Sequence, residues 1–323
     1  MKKLTAVLLA FVMLACLFAG CGKTESGTPQ ESQNTETAYT PVNVENYGRT
    51  LTIKERPKAV VTAGPNCTEV MCALGLADLV VGDSVNNHSR GPLDQWASDY
   101  KSIKEINNGY PTLEAVVASG CDFLYAIDWV FEGDFTIEAL EKYGITVYVC
   151  EATDYDGVWK ELTDLGKIFG VEDTAATFIS SEKDRISKVE STIKGETPQK
   201  VFVFDSDCGD GTVYTAGKPN IETAFIKTAG GTNVFGETDD AWFAVSYEEI
   251  LAANPDVIVV HDYFDASYED NIAAMKASPV LSQLDAVKNG RFVKLSLESA
   301  FPGSRSAYTV ELLAKGIYPD FFK

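Results

Sequence analysis

The stretch Ser246–Tyr263, SYEEILAANPDVIVVHDY, reads as a short helix, a turn at Asn254-Pro255 and a strand ending in Asp-aromatic. Ser246 followed by Glu249 makes a capping box, so the helix starts there and Glu249 is used locally. The apolar run Val257–Val260 is the pattern of a strand buried on both faces. The same pattern occurs 134 residues earlier in Thr112–Trp129, TLEAVVASGCDFLYAIDW. Without a gap, Glu114 falls on Glu248, Ala118 on Ala252, Asp122 on Asp256, Asp128 on Asp262 and Trp129 on Tyr263. Two copies of one αβ unit are expected.

The sequence around the copies extends the symmetry. Lys58–Gly82 runs strand (AVVTAG), helix ending ALG, strand ending VVG; Lys200–Gly236 runs strand (KVFVFD), a Gly-rich insertion with TVYTAG, helix ending AGG, then NVFG. Strands alternating with helices indicate βαβ units and mostly parallel sheets. The expected fold is therefore α/β: two similar α/β lobes over residues 43–170 and 196–323, with a ligand cleft between them. Between the lobes, residues 171–195 place Ala175, Phe178, Ile179, Ile186, Val189 and Ile193 at helical spacing, with Gly195 as C-cap. This predicts one long interlobe helix.

The N-terminus, MKKLTAVLLAFVMLACLFAGCGKTESG, has two lysines, an apolar run from Leu4 to Ala19 and a small-residue exit. Residues 1–20 are expected to be a lipoprotein signal peptide, with Cys21 as lipid anchor. Residues 21–42, rich in Ser, Thr, Glu, Gln and Asn, bury too little apolar surface to fold and are expected to be a tether. The formal net charge of −20 argues against nucleic acid and against direct contact with an anionic membrane surface. Such a protein would lie outside the cytoplasm, held to the outer face of a bacterial cytoplasmic membrane by lipid alone. The chain has seven cysteines, and beyond Cys16 and Cys21 stand Cys67, Cys72, Cys121, Cys150 and Cys208, an odd number whose pairing stays open.

Catalytic signatures are missing. There is no G-x-S-x-G elbow, Ser180–Lys183 fits S-x-x-K without a K-T-G partner, and Pro219 stands where a P-loop needs Ser or Thr. Two histidines, His88 and His261, do not make a zinc site. His261 ends a strand and reads as a hydrogen-bonded structural residue or a cleft residue. Aromatic side chains instead gather at strand ends and loops: Tyr110, Trp129 and Phe131 in the first half, Trp242, Phe243, Tyr263 and Phe264 in the second. Facing aromatic walls suit a flat or bulky ligand. Arg90 and Arg305 are loop cations that either grip an anionic group or lie at the surface. No catalytic residue and no cofactor is expected, although a secreted two-domain enzyme or an adhesin is the alternative of another class.

The ordered set RPKAVVTAGPNCTEVMCALGLADLVVG, LEAVV…DFLYA, LEKYGITVYV, YTAG…AGGTNVF and W-x-x-V-S-x-E…NPDVIVV resembles the class III substrate-binding proteins of ABC importers, which carry ferric siderophores, haem and cobalamin. The resemblance runs from Arg56 to Phe322, with Cys121 standing where the family usually has Pro. It implies a monomer that hands a metal chelate to an ABC permease dimer with its cytoplasmic ATPase. It also implies that Glu114 and Glu248 dock onto the permease and that Trp242 contacts ligand. Asn66 and Tyr214 complete the expected ligand set with Arg90, Tyr110, Trp129, Phe243, Tyr263 and Arg305. A ferric siderophore is the first expectation and a corrinoid the second, since few cleft cations disfavour a catecholate complex. For haem, Tyr110 or His261 would be the axial donor.

Overall fold

In the computed structural model, which describes residues 39–263 and 267–323, the two copies of the repeat fold alike. The signal segment, Cys21 and Phe264 lie outside the described residues. Thr112 accepts the Ala115 N–H at 3.2 Å and so caps the helix Leu113–Ala118. Its counterpart Ser246 accepts the Glu249 N–H at 3.3 Å at the start of Tyr247–Ala253, and Glu249 closes the capping box. Each helix is followed by a left-handed residue, Gly120 at φ 74° and Asn254 at φ 43°. Glycine and asparagine are the residues that reach this region at least cost. Asp122 then accepts the backbone N–H groups of Lys58 and Ala59, and Asp256 that of Lys200 at 2.7 Å. Both aspartates thus tie the start of one strand to the start of its neighbour.

A hairpin of β1 (Val42–Asn46) and β2 (Arg49–Ile53) precedes the first sheet. That sheet contains β3 (Val60–Ala63), β4 (Val80–Ser84), β5 (Glu105–Asn107), β6 (Phe123–Ile127) and β7 (Thr146–Cys150), all parallel, in the order β5-β4-β3-β6-β7. The second half supplies β8 (Gln199–Phe204), β9 (Ser206–Asp207), β10 (Thr212–Ala216), β11 (Gly231–Asn233), β12 (Trp242–Ser246), β13 (Val257–Asp262) and β14 (Phe292–Ser296). Of these, β11-β8-β13-β14 form a second parallel sheet, while β12-β10-β9 form a small antiparallel one. One boundary moves: Val42, assigned to the tether, begins β1, and Tyr39 already bonds the Ile168 carbonyl at 3.0 Å. The tether composition runs on until an alternating pattern starts, and Tyr39–Val42 is too short to show one.

The expected interlobe helix spans Glu172–Thr192, about 31 Å at 1.5 Å per residue. It packs on Tyr155–Phe169 of the first half, where a Cβ on Gly166 would come within 2.7 Å of the Ala175 Cβ. On its other side Arg185 grips both oxygens of Glu311, and Glu182 caps the helix Ser306–Ile317 by accepting the Ala307 N–H at 2.8 Å. The helix is not the sole link, because one apolar core runs from the first sheet through these helices onto one face of the second. No helix among the described residues is long and apolar enough to cross a membrane. The five cysteines Cys67, Cys72, Cys121, Cys150 and Cys208 are free thiols, all buried except Cys208.

Below the carboxyl end of the first sheet, Glu161 is buried against Tyr125 and Cys150. Burial pushes its carboxyl up to about 7, against the lowering effect of hydrogen bonds from those two groups. Its folded-state value lies above the ordinary 4.5. The carboxyl therefore stabilises the fold fully below pH 4.5, and the contribution fades as pH rises through 7. In urea unfolding, Glu161→Gln is expected to remove about 3 kcal/mol of the stability lost between those limits. Equal pH slopes for the two proteins would refute this.

Candidate functional site

Parallel strands bring their carboxyl ends to one edge of each sheet, and the loops leaving those ends meet between the sheets. There a cavity of about 250 Å³ is bounded by residues 127–129 and 150–153 of the first half and by 219–221, 241–242 and 300–302 of the second.

Trp129, Trp242 and Phe301 line it, and further rings pack around them. Trp129, on the turn after β6, meets Tyr110 edge-on at 5.4 Å, His88 at 5.2 Å and Phe301 at 6.3 Å between ring centres. Tyr263 lies nearly parallel to His88 at 6.0 Å, so this cluster joins the two halves. Opposite it, Trp242 stacks on Tyr214 at 6.4 Å, two residues off register across the β10–β12 ladder. Of the expected aromatic set, Tyr110, Trp129 and Tyr263 come together, as do Tyr214 and Trp242. Phe243 does not join them: as the next residue along β12 it points to the opposite face, where it packs with Phe235. Two rings outside the expected set take part, Phe301 in the lining and His88 behind Trp129. Both follow the carboxyl ends of sheet strands, β4 and β14, the criterion that picks out Trp129.

Both arginines expected at the ligand are engaged by carboxylates. Arg90 donates to Asp262 at 3.0 Å and to the Tyr263 carbonyl at 2.8 Å. Arg305 is 4 % exposed and holds both oxygens of Glu69, at 2.5 and 2.6 Å, with Glu298 at 3.3 Å. Asn66 is buried beneath the cavity, donating to the Pro302 carbonyl at 3.0 Å and to Cys150 Sγ at 3.4 Å. The cavity lining contains Asp128 and Glu151 and no lysine or arginine.

His261 is fully buried between Asp205, at 2.8 Å from Nδ1, and Glu222, at 3.0 Å from Nε2. Burial favours the neutral ring, but the charge of Glu222 and the hydrogen bond to Asp205 outweigh it and raise the pKa to about 10. Both ring nitrogens are therefore protonated and engaged at neutral pH, which leaves no lone pair for a haem iron. The ring supports the cleft from behind, edge-on to Trp242 at 6.0 Å. Burial lowers the pKa of His88, countered by Asp205, so that ring is neutral at pH 7. Tyr110 is 44 % exposed. Among the described residues no group of three or more His, Cys, Asp or Glu is placed to hold a metal ion.

Glu114 and Glu248 occupy equivalent exposed positions in the first turns of the two repeated helices. Neither carboxylate has an ion-pair or side-chain hydrogen-bond partner within the described residues, whereas the neighbouring Glu249 is bound to Ser246.

The family model described as periplasmic binding protein matches residues 60–297. The chain is 28% identical to an ABC transporter substrate-binding lipoprotein of Bacillus subtilis over the whole of both proteins. It is 27% identical to a cobalamin-binding protein of Halobacterium salinarum over 90% of this chain and 78% of that one. Its fold superposes on a protein of an Fe3+-hydroxamate transport system from Saccharomonospora viridis with a TM-score of 0.73 and 24% identity, covering 86% of this chain and 99% of the other. The two parallel α/β sheets agree with these matches, and the chain belongs to the periplasmic binding protein family, as an extracytoplasmic substrate-binding protein of an ABC importer.

Proposed function

We propose that the cleft binds a metal chelate of the corrinoid type and delivers it to an ABC permease. The observation carrying this reading is a cavity lined by Trp129, Trp242 and Phe301 without a basic side chain. Such a surface suits a broad ligand held by contact area and free of excess negative charge. The cobalamin-binding relative supports it over most of the chain. A ferric trihydroxamate is the second reading, because the same lining accepts it. A catecholate complex, or haem with its two propionates, would face Asp128 and Glu151 with no cation to meet them. A corrinoid is larger than the 250 Å³ cavity, so binding includes an outward movement of the loops or leaves part of the ligand in solvent. The ligand contacts in this reading are Tyr110, Trp129, Tyr214, Trp242 and Tyr263, with Arg90 and Arg305 holding the frame.

Calorimetric titration with cyanocobalamin and with a ferrichrome-type chelate is expected to give saturable binding of one of them. Trp129→Ala and Trp242→Ala should each weaken it by about tenfold or more, about 1.4 kcal/mol. Flat titrations with both chelates would sink the metal-chelate reading.

Docking through Glu114 and Glu248 also belongs to this proposal, since two unpaired carboxylates at symmetry-equivalent positions offer a two-point electrostatic register. The double variant Glu114→Arg/Glu248→Arg should keep the ligand affinity of the parent and lose at least about tenfold in cellular uptake, the loss expected from reversing two interface charges. Unchanged uptake would remove these residues from the interface.

We further propose lipid attachment at Cys21. Fatty-acid labelling should be lost and the protein released to the medium in Cys21→Ala; retained labelling would move the anchor elsewhere.

A further inference from the structure

We infer that the cleft discriminates by charge, favouring chelates with a net positive charge over neutral and anionic ones of the same scaffold. This rests on the metal-chelate reading above. Asp128 lines the cavity and has no cationic partner among the described residues. Asp128 and Glu151 are both exposed at the cavity; partial burial raises the pKa of Asp128, and the charge of Glu151 raises it further. Glu151 accepts from Asn46 Nδ2 at 3.2 Å and from the Tyr47 N–H at 2.6 Å, again without a cation among the described residues.

Two further acceptors point the same way. Asn66 Oδ1 and Glu298 Oε2 are buried with no donor, in residues 2 % and 1 % exposed. Both adjoin the cavity segment 300–302: Asn66 bonds the Pro302 carbonyl and Glu298 lies two residues before Ala300. These two oxygens lie behind the cavity lining, not on it, and add to the excess of acceptors around the cleft.

The ionic frame behind the walls leans the same way. Glu69 and Glu298 share Arg305, and Asp205 and Glu222 share His261, so each group has one carboxylate more than cations. Arg90 and Lys294 do not redress this, because Asp262 and Glu269 match them. In front of this field stand the rings of Trp129 and Trp242, whose quadrupoles also attract cations. Carboxylates and rings act in one direction, and a positive ligand relieves the unpaired Asp128.

The test compares ligand pairs that share a scaffold and differ by one charge. One pair is ferrioxamine B, with its free ammonium, against its N-acetyl derivative. The other is cyanocobalamin carrying an added primary amine on its ribose against cyanocobalamin itself. Titrated into the full chain at low salt, the cationic member of the pair that binds should be about tenfold tighter, a gap that narrows as salt rises. Asp128→Asn and Glu151→Gln should each shrink the ratio between members, and together bring it near one. Because the readout is a ratio within one protein, a general loss of affinity in a variant does not imitate the effect. Equal affinities within a pair in the parent protein overturn the charge selection and leave the metal-chelate reading standing. A ratio that persists in both variants overturns the assignment to these carboxylates. Failure of all four ligands to bind removes the metal-chelate reading, and this inference with it.

Discussion

Arg305 and Glu69 form the contact on which the geometry of the cleft depends. They lie 236 residues apart, one from each half, and both are almost wholly buried. Burying two charges costs several kcal/mol per ion unless their remaining hydrogen-bonding groups are also met. Here they are: Arg305 also reaches Ser299 and the Gly91 carbonyl, and Glu69 also accepts the Leu93 N–H at 2.9 Å. The pair thereby fixes the loop 91–93, and that loop holds Arg90 where it meets Asp262 and the Tyr263 carbonyl. His88, two residues earlier, is brought against Tyr263 by the same anchoring. Removing either partner would leave an uncompensated buried charge, at a cost of about 3–5 kcal/mol, and would release one wall of the cleft.

The fold was largely legible in the sequence because its decisive interactions are local and occur twice. A capping residue, a left-handed turn and an aspartate on the next strand each leave a mark at a fixed spacing. Each mark is present in both copies: Thr112 and Ser246, Gly120 and Asn254, Asp122 and Asp256. The site was less legible. Strand-end aromatics could be listed, but the rings that meet follow β4, β5, β6, β13 and β14, and no local pattern reports that meeting. Alternation along a strand would have separated Trp242 from Phe243 had β12 been recognised as one. The fate of Arg305 could not be foreseen, since its partner is distant in sequence and a buried arginine looks like an exposed one until that partner is known.

The cleft is held on two levels. At its mouth are ion pairs between side chains; behind them are the helix Glu172–Thr192, locked on both sides, and the apolar core that continues through it. The first level opens by exchanging Arg90 and its partners for water. The second would have to part packed methyl groups, which interiors resist. On the proposed binding reading, movement on ligand entry is expected in the loops and the polar frame around them, while the sheets and the outer helices keep their places.

The double locking of that central helix bears on traffic at the membrane. The repeated helices carrying Glu114 and Glu248 sit on the parts that keep their places, so the empty and the loaded carrier present nearly the same pair of carboxylates. On the docking reading, empty carriers then occupy permeases as readily as loaded ones. On that reading uptake would depend on the ratio of carrier to ligand as well as on affinity, and a cell that made more carrier than there is ligand to fill it would slow its own import.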